Sequence, residues 1–120
     1  MNVLIVESRN DLGVIWQRHL ELLDMSVTLV SGQNEAIEHL TQASADIIIL
    51  DLVLEKGSAL AISDFASFRQ PKARVIFVTN TSFFSDGSIF NHAQNACAFI
   101  QSETPPDDLA AMVEHYATAV

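Results

Sequence analysis

Apolar residues in this chain gather into five short runs separated by stretches of a longer period. The runs are Val3-Leu4-Ile5-Val6, Val27-Thr28-Leu29-Val30, Ile47-Ile48-Ile49-Leu50, Val75-Ile76-Phe77-Val78 and the weaker Ala98-Phe99-Ile100. Bounded runs of this kind, rich in β-branched residues, predict strands buried on both faces, as in parallel sheets. Between the first two, Leu12, Ile15, Trp16, His19, Leu20 and Leu23 recur at helical spacing, which predicts an amphipathic helix. A second helix carries Ala36, Ile37 and Leu40 after the turn Ser31-Gly32. A third is N-capped by Ser58, carries Leu60, Ile62, Phe65 and Phe68, and is ended by Pro71. A fourth helix is expected from Ser85 or Asp86 to Gln94, with Ile89, Phe90 and Ala93 inward. The fifth has Thr104 at its N-cap, Pro105 at the first helical position and Asp107-Asp108 in its first turn. Its inner stripe is Leu109, Met112, Val113 and Tyr116. Five strand–helix alternations predict one α/β domain over residues 1–120, a doubly wound parallel sheet of five strands with five helices on its two faces.

Length and composition narrow the functional classes. A chain of 120 residues builds one core, and 49% hydrophobic with 18% charged residues describes a globular protein. No apolar stretch approaches the roughly 20 residues of a membrane helix, so no membrane partner is expected. Met1-Asn2-Val3 leads straight into a strand with no export signal, and Cys97 is the single cysteine. A cytoplasmic location is the expectation. The net charge of −9 speaks against a nucleic-acid partner. All six Lys and Arg lie at or before Arg74, and beyond it come only Asp86, Glu103, Asp107, Asp108 and Glu114. That acidic segment is either a solvated face or a surface for a basic protein partner.

Chemistry in open α/β sheets sits beyond the carboxyl ends of the strands. Those ends present Glu7-Ser8, Asp51, Thr79-Asn80 and Gln101-Ser102. Asp51, ending the most apolar run, is the leading candidate; the plainer reading is a loop Asp capping the next turn. His19, His39, His92 and His115 are too scattered for a metal cluster, and Cys97 reads as a small buried hydrophobe. Gly13 stands alone after the first strand, which gives a nucleotide- or flavin-binding enzyme little support. Phe83 and Phe84 read as half-core, or as a docking patch if exposed.

These strand ends, with the loop Asp51-Leu52-Val53-Leu54-Glu55-Lys56-Gly57-Ser58, resemble the receiver domain of bacterial two-component response regulators over the whole chain. The resemblance implies a flavodoxin-like sheet of order 2-1-3-4-5 and a signalling module of a phosphorelay, not an enzyme. It implies Asp51 as phosphoacceptor, fed by a sensor histidine kinase or phosphotransfer protein, with Thr79 holding a phosphoryl oxygen and Phe99 following the switch. A Mg²⁺ ion would be held by Glu7, Asp51 and the carbonyl of Val53.

Several positions depart from that pattern. The second acid is Ser8, the residue after the hydroxyl is Asn80, and the Lys-Pro pair after the fifth strand is Ser102-Glu103. One acid and one Lys are lost together, so the bare pocket keeps its formal charge while Mg²⁺ binding weakens. Arg9 reads as a surface residue at a helix start, although it could supply the missing positive charge. A trans Ser102–Glu103 bond is expected, because a non-proline cis bond costs about 2.5–4 kcal/mol. The resulting expectation is an atypical single-domain response regulator acting through a downstream target with a basic surface. The alternative is a pseudo-receiver, a binding module that works without phosphorylation. The acidic segment, with Phe83, Phe84, Asp107 and Asp108, is the expected partner surface.

Overall fold

A computed structural model describes residues 1–79 and 95–118. The predicted helix from Ser85 or Asp86 to Gln94 lies outside the described residues, as do Asn80, Phe83, Phe84 and His92. Five strands are present: β1 (Asn2–Val6), β2 (Ser26–Val30), β3 (Ile47–Asp51), β4 (Arg74–Thr79) and β5 (Ala96–Gln101). Among the described residues they alternate with α1 (Asn10–Glu21), α2 (Gln33–Gln42), α3 (Ala59–Arg69) and α4 (Pro106–Thr118). All neighbours pair in parallel, in the order β2-β1-β3-β4-β5, as expected. No helix of the described residues is long and apolar enough to cross a membrane.

Side chains of a strand point alternately to opposite faces, and this sheet uses both. Val3, Ile5, Ile47, Ile49, Ile76 and Val78 pack on one face against Trp16 and Leu20 of α1 and Leu109 and Val113 of α4. Leu4, Val6, Ile48, Leu50, Val75 and Phe77 pack on the other, against Ala36 and Leu40 of α2 and Ala59, Ile62 and Ala66 of α3. All five residues of β3 are buried, which is why that strand reads as an unbroken apolar run.

The register slips once, between β4 and β5. Val75 faces Ala96 while Ile76 faces Ala98, leaving Cys97 as the extra residue of a bulge. Cys97 and Ala98 consequently both join the α1–α4 face, and Phe99 returns to the other, where its ring lies 5.7 Å from that of Phe77. Cys97 is half-buried, not fully buried as expected, and burial pushes its thiol up to about 11. That leaves a poor nucleophile at neutral pH.

Local signals differ from expectation in a few places. Ser58 caps α3 as predicted, its Oγ accepting from the Ala61 amide at 3.3 Å. α3 buries Ala59, Ile62, Ser63 and Ala66, leaving Leu60 exposed and Phe68 85% exposed. Ile15 and Leu23 are likewise exposed. The last helix starts one residue late: Pro105 is the cap, its carbonyl accepting from the Leu109 amide at 3.1 Å, and Thr104 lies outside in a turn. No described peptide bond is cis, in agreement with the expectation for Ser102–Glu103.

Candidate functional site

Parity along the strands brings the first acid and the candidate acceptor together. Val6 pairs with Leu50, so Glu7 and Asp51 follow as neighbours at the carboxyl edge of β1 and β3. Both are buried, Glu7 at 1% exposure and Asp51 at 3%. The Glu7 amide donates to the Val30 carbonyl at 3.0 Å, extending the ladder one residue past β1 and holding the acid against the sheet. The Val53 amide donates to Asp51 Oδ1 at 2.9 Å, which tightens the turn after β3 and leaves the Val53 side chain exposed. This is the local Asp turn of the plainer reading, and it coexists with a buried, aimed carboxylate.

Arg9 is where the structure departs furthest from expectation. Its side chain is 44% exposed, yet it turns back over the site. Glu7 Oε1 accepts from the Arg9 amide at 2.9 Å and from Arg9 Nε at 3.2 Å, and Arg9 Nη2 lies 3.7 Å from Asp51 Oδ2. One guanidinium therefore spans both buried carboxylates.

The remaining oxygen of Glu7, Oε2, is buried and finds no donor among the described residues. The Glu7 and Asp51 carboxyls are in contact, and when both are ionised neither has a hydrogen to give. Burial, then the Asp51 carboxyl, push Glu7 up from 4.5 to about 7, against the opposing pull of the Arg9 hydrogen bonds. Two buried carboxylates with one orphan oxygen suit a hard cation that takes oxygen ligands. Glu7 and Asp51 would hold Mg²⁺, which would supply positive charge to an incoming phosphoryl group.

Ser8, at the position of the second acid, is committed elsewhere. Its hydroxyl donates to the Ser31 carbonyl at 3.1 Å and accepts from the Glu55 amide at 3.0 Å. It ties the loop after β1 to the end of β2 and to the loop after β3. That second loop is pinned again by Gln33, whose amide donates to the Lys56 carbonyl at 3.1 Å. Its Oε1 accepts from the Ser58 amide at 2.7 Å. Gly57 sits between those contacts at φ +102°, where a side chain would collide with Gln33.

Thr79 ends β4 one residue beyond Val78, the partner of Asp51, and is buried. Its carbonyl accepts from the Ser102 amide at 2.8 Å and from Ser102 Oγ at 3.4 Å. Ser102, in the position of the family's Lys, is thus a buried tie between β4 and β5, while Glu103 faces solvent. Asp107 and Asp108 are exposed, and Asp107 lies 3.7 Å from His19 Nε2. Among the described residues no group of three or more His, Cys, Asp and Glu side chains is placed to hold a metal.

Sequence reasoning underweighted Arg9; its signal was the spacing of a cation two residues after a strand-ending acid. The ties made by Ser8 and Gln33 left no such signal, because each depends on which loops the fold brings together.

No family model matches the chain, and no curated protein matches it in sequence. Solved structures do match it. A receiver domain protein from Methanospirillum hungatei superposes with a TM-score of 0.88 at 18% identity, over 97% of this chain and 92% of that one. The signal receiver domain of a putative repressor from Vibrio parahaemolyticus gives 0.85 at 21% identity, over 97% and 88%. A response regulator from Thermotoga maritima, solved in complex with Mg²⁺ and BeF, gives 0.82 at 16% identity, over 96% and 97%. Over nearly its whole length, this chain has the fold of the response regulator receiver domain.

Proposed function

We propose that the protein is an atypical receiver that accepts a phosphoryl group on Asp51 and signals through protein contacts. The observation that carries this reading is the acid pair itself: Asp51, buried at the carboxyl edge of the central strand, beside Glu7 and under Arg9. An Asp51 oxygen attacks phosphorus of a phosphohistidine on a sensor kinase or phosphotransfer protein. The new O–P bond forms as the P–N bond breaks, and the departing imidazole takes a proton from solvent. The acyl phosphate adds negative charge to an acid-rich pocket. Thr79 offers a hydroxyl from the end of β4, and Phe99, ringed against Phe77, is the aromatic that would follow a change there. Mg²⁺ held by Glu7 and Asp51 would neutralise part of that charge. With Ser8 and Ser102 engaged in other bonds, the site lacks two of the family's phosphoryl-stabilising groups, and transfer should be slow.

The downstream partner in this reading is a protein with a basic surface, supported by the acid-only charge beyond Arg74 and by Asp107 standing 92% exposed. A cytoplasmic place in a bacterial phosphorelay belongs to the same proposal. The test is incubation with acetyl phosphate followed by intact mass. A slowly formed adduct of one phosphoryl group, absent in Asp51→Asn, supports the acceptor role. No adduct on the wild-type chain overturns it in favour of a binding module that works without phosphorylation, and an adduct that survives Asp51→Asn overturns Asp51 as the acceptor.

A further inference from the structure

We infer that Arg9 is the resident cation of this site, a tethered counter-ion that takes the place of a divalent metal and must be displaced before one binds. The inference deepens the acceptor reading but is tested through metal affinity, which does not require Asp51 to be phosphorylated.

Three observations carry it. Arg9 reaches both acids at once, with Nε 3.2 Å from Glu7 Oε1 and Nη2 3.7 Å from Asp51 Oδ2. Its backbone amide holds the same Glu7 oxygen at 2.9 Å, so the short loop fixes the root of the side chain as well as its tip. The hydroxyl at the family's second metal-ligand position is turned into a loop tie, with its lone pair on the Glu55 amide and its proton on the Ser31 carbonyl.

A guanidinium is charged at every physiological pH and presents several donors in a planar fork, which suits two neighbouring carboxylates. Being attached two residues from Glu7, it competes at a high effective concentration and loses little entropy on docking. Mg²⁺ has to shed part of a tightly held water shell to compete for the same acids. It also meets the repulsion of a positive charge already in place. The tethered cation therefore weakens Mg²⁺ binding at these acids. Arg9 also stays half-exposed at the mouth of the pocket, where it can meet the oxygens of an incoming phosphoryl group.

The experiment is calorimetric titration of MgCl₂ into the wild-type chain, Arg9→Ala and Arg9→Lys, with amide NMR shifts of Val53 and Ser8 reporting the site. Removing a unit charge beside two carboxylates should tighten Mg²⁺ binding about tenfold or more in Arg9→Ala. Arg9→Lys, which keeps the charge, should stay close to wild type. The gain should vanish in Arg9→Ala combined with Glu7→Gln. Equal or weaker Mg²⁺ binding by Arg9→Ala overturns the inference, as does Arg9→Lys behaving like Arg9→Ala. Thermal unfolding of each variant verifies that the domain is folded. Should labelling by acetyl phosphate fail while the affinity gain appears, the acceptor reading falls and the counter-ion stands; the reverse pattern removes the counter-ion alone.

Discussion

Glu7 and Asp51 come from different strands, yet their carboxyls share one buried edge, with a single guanidinium laid across both. Burial and the neighbouring Asp51 raise Glu7 to about 7, whereas the unfolded chain releases that proton near 4.5. Between these values the folded protein holds a proton that the unfolded chain has lost. Stability should therefore be highest below pH 4.5 as far as this group is concerned, and decline as pH rises to about 7. The contribution is at most about 3 kcal/mol. Urea midpoints at pH 5, 6, 7 and 8 should fall for the wild-type chain and show a flatter profile for Glu7→Gln. Parallel profiles would remove Glu7 as the titrating group.

Ser8 is a tie between loops, so placing an acid there carries a cost. Ser8→Ala should destabilise by about 1–2 kcal/mol, since the Glu55 amide and Ser31 carbonyl both lose their partner. Ser8→Asp can still accept from Glu55 but cannot donate to Ser31, so it too should melt lower while binding Mg²⁺ more tightly. Combined with Ser102→Lys, it should raise acetyl phosphate labelling by more than the two single effects multiplied, because both groups act on one phosphoryl oxyanion. Strictly independent effects would mean that the two positions do not serve one site.

Gln70 ties down the opposite edge of the sheet. Its Oε1 accepts from the Ala45 amide at 2.7 Å, and its Nε2 donates to the carbonyls of Leu40 at 2.8 Å and Ala43 at 2.7 Å. Those carbonyls belong to the end of α2, where the helix leaves its last acceptors without partners. Gln70→Ala should cost about 2–3 kcal/mol, a loss of roughly 8 °C or more in Tm, and Gln70→Glu should recover only part of it. A melting temperature unchanged by Gln70→Ala would show that water replaces all three bonds.

The sheet was legible because its three central strands, β1, β3 and β4, are compact apolar runs whose two faces are both covered, and the half-buried edge strands β2 and β5 still carry short apolar runs. Its strand order followed from a resemblance carried by the strand-ending residues, and the observed order agrees. Helix faces were less legible. α3 is apolar nearly all round, so period could not separate the buried Ile62 from the exposed Phe68, and the small residues Ala59 and Ala66 set the packed side. The bulge at Cys97 was hidden because one residue too many in a weak strand leaves no compositional trace. At the site, the placement of Glu7, Asp51 and Thr79 at strand ends could be read directly. The grip of Arg9 was read only as the alternative to a surface role, since a cation three residues beyond a strand is usually solvated and only the folded register brings Asp51 within its reach.

The hydroxyl of Ser8 joins three loop segments at the edge of the sheet that carries the acid pair. The ordering entropy of the loops is thereby spent on folding. A molecule that docks on this edge finds a finished surface, and little of its binding energy goes into arranging the loops. The same economy leaves those loops less slack, so a change at Asp51 would reach the surface only through small displacements of a preassembled rim.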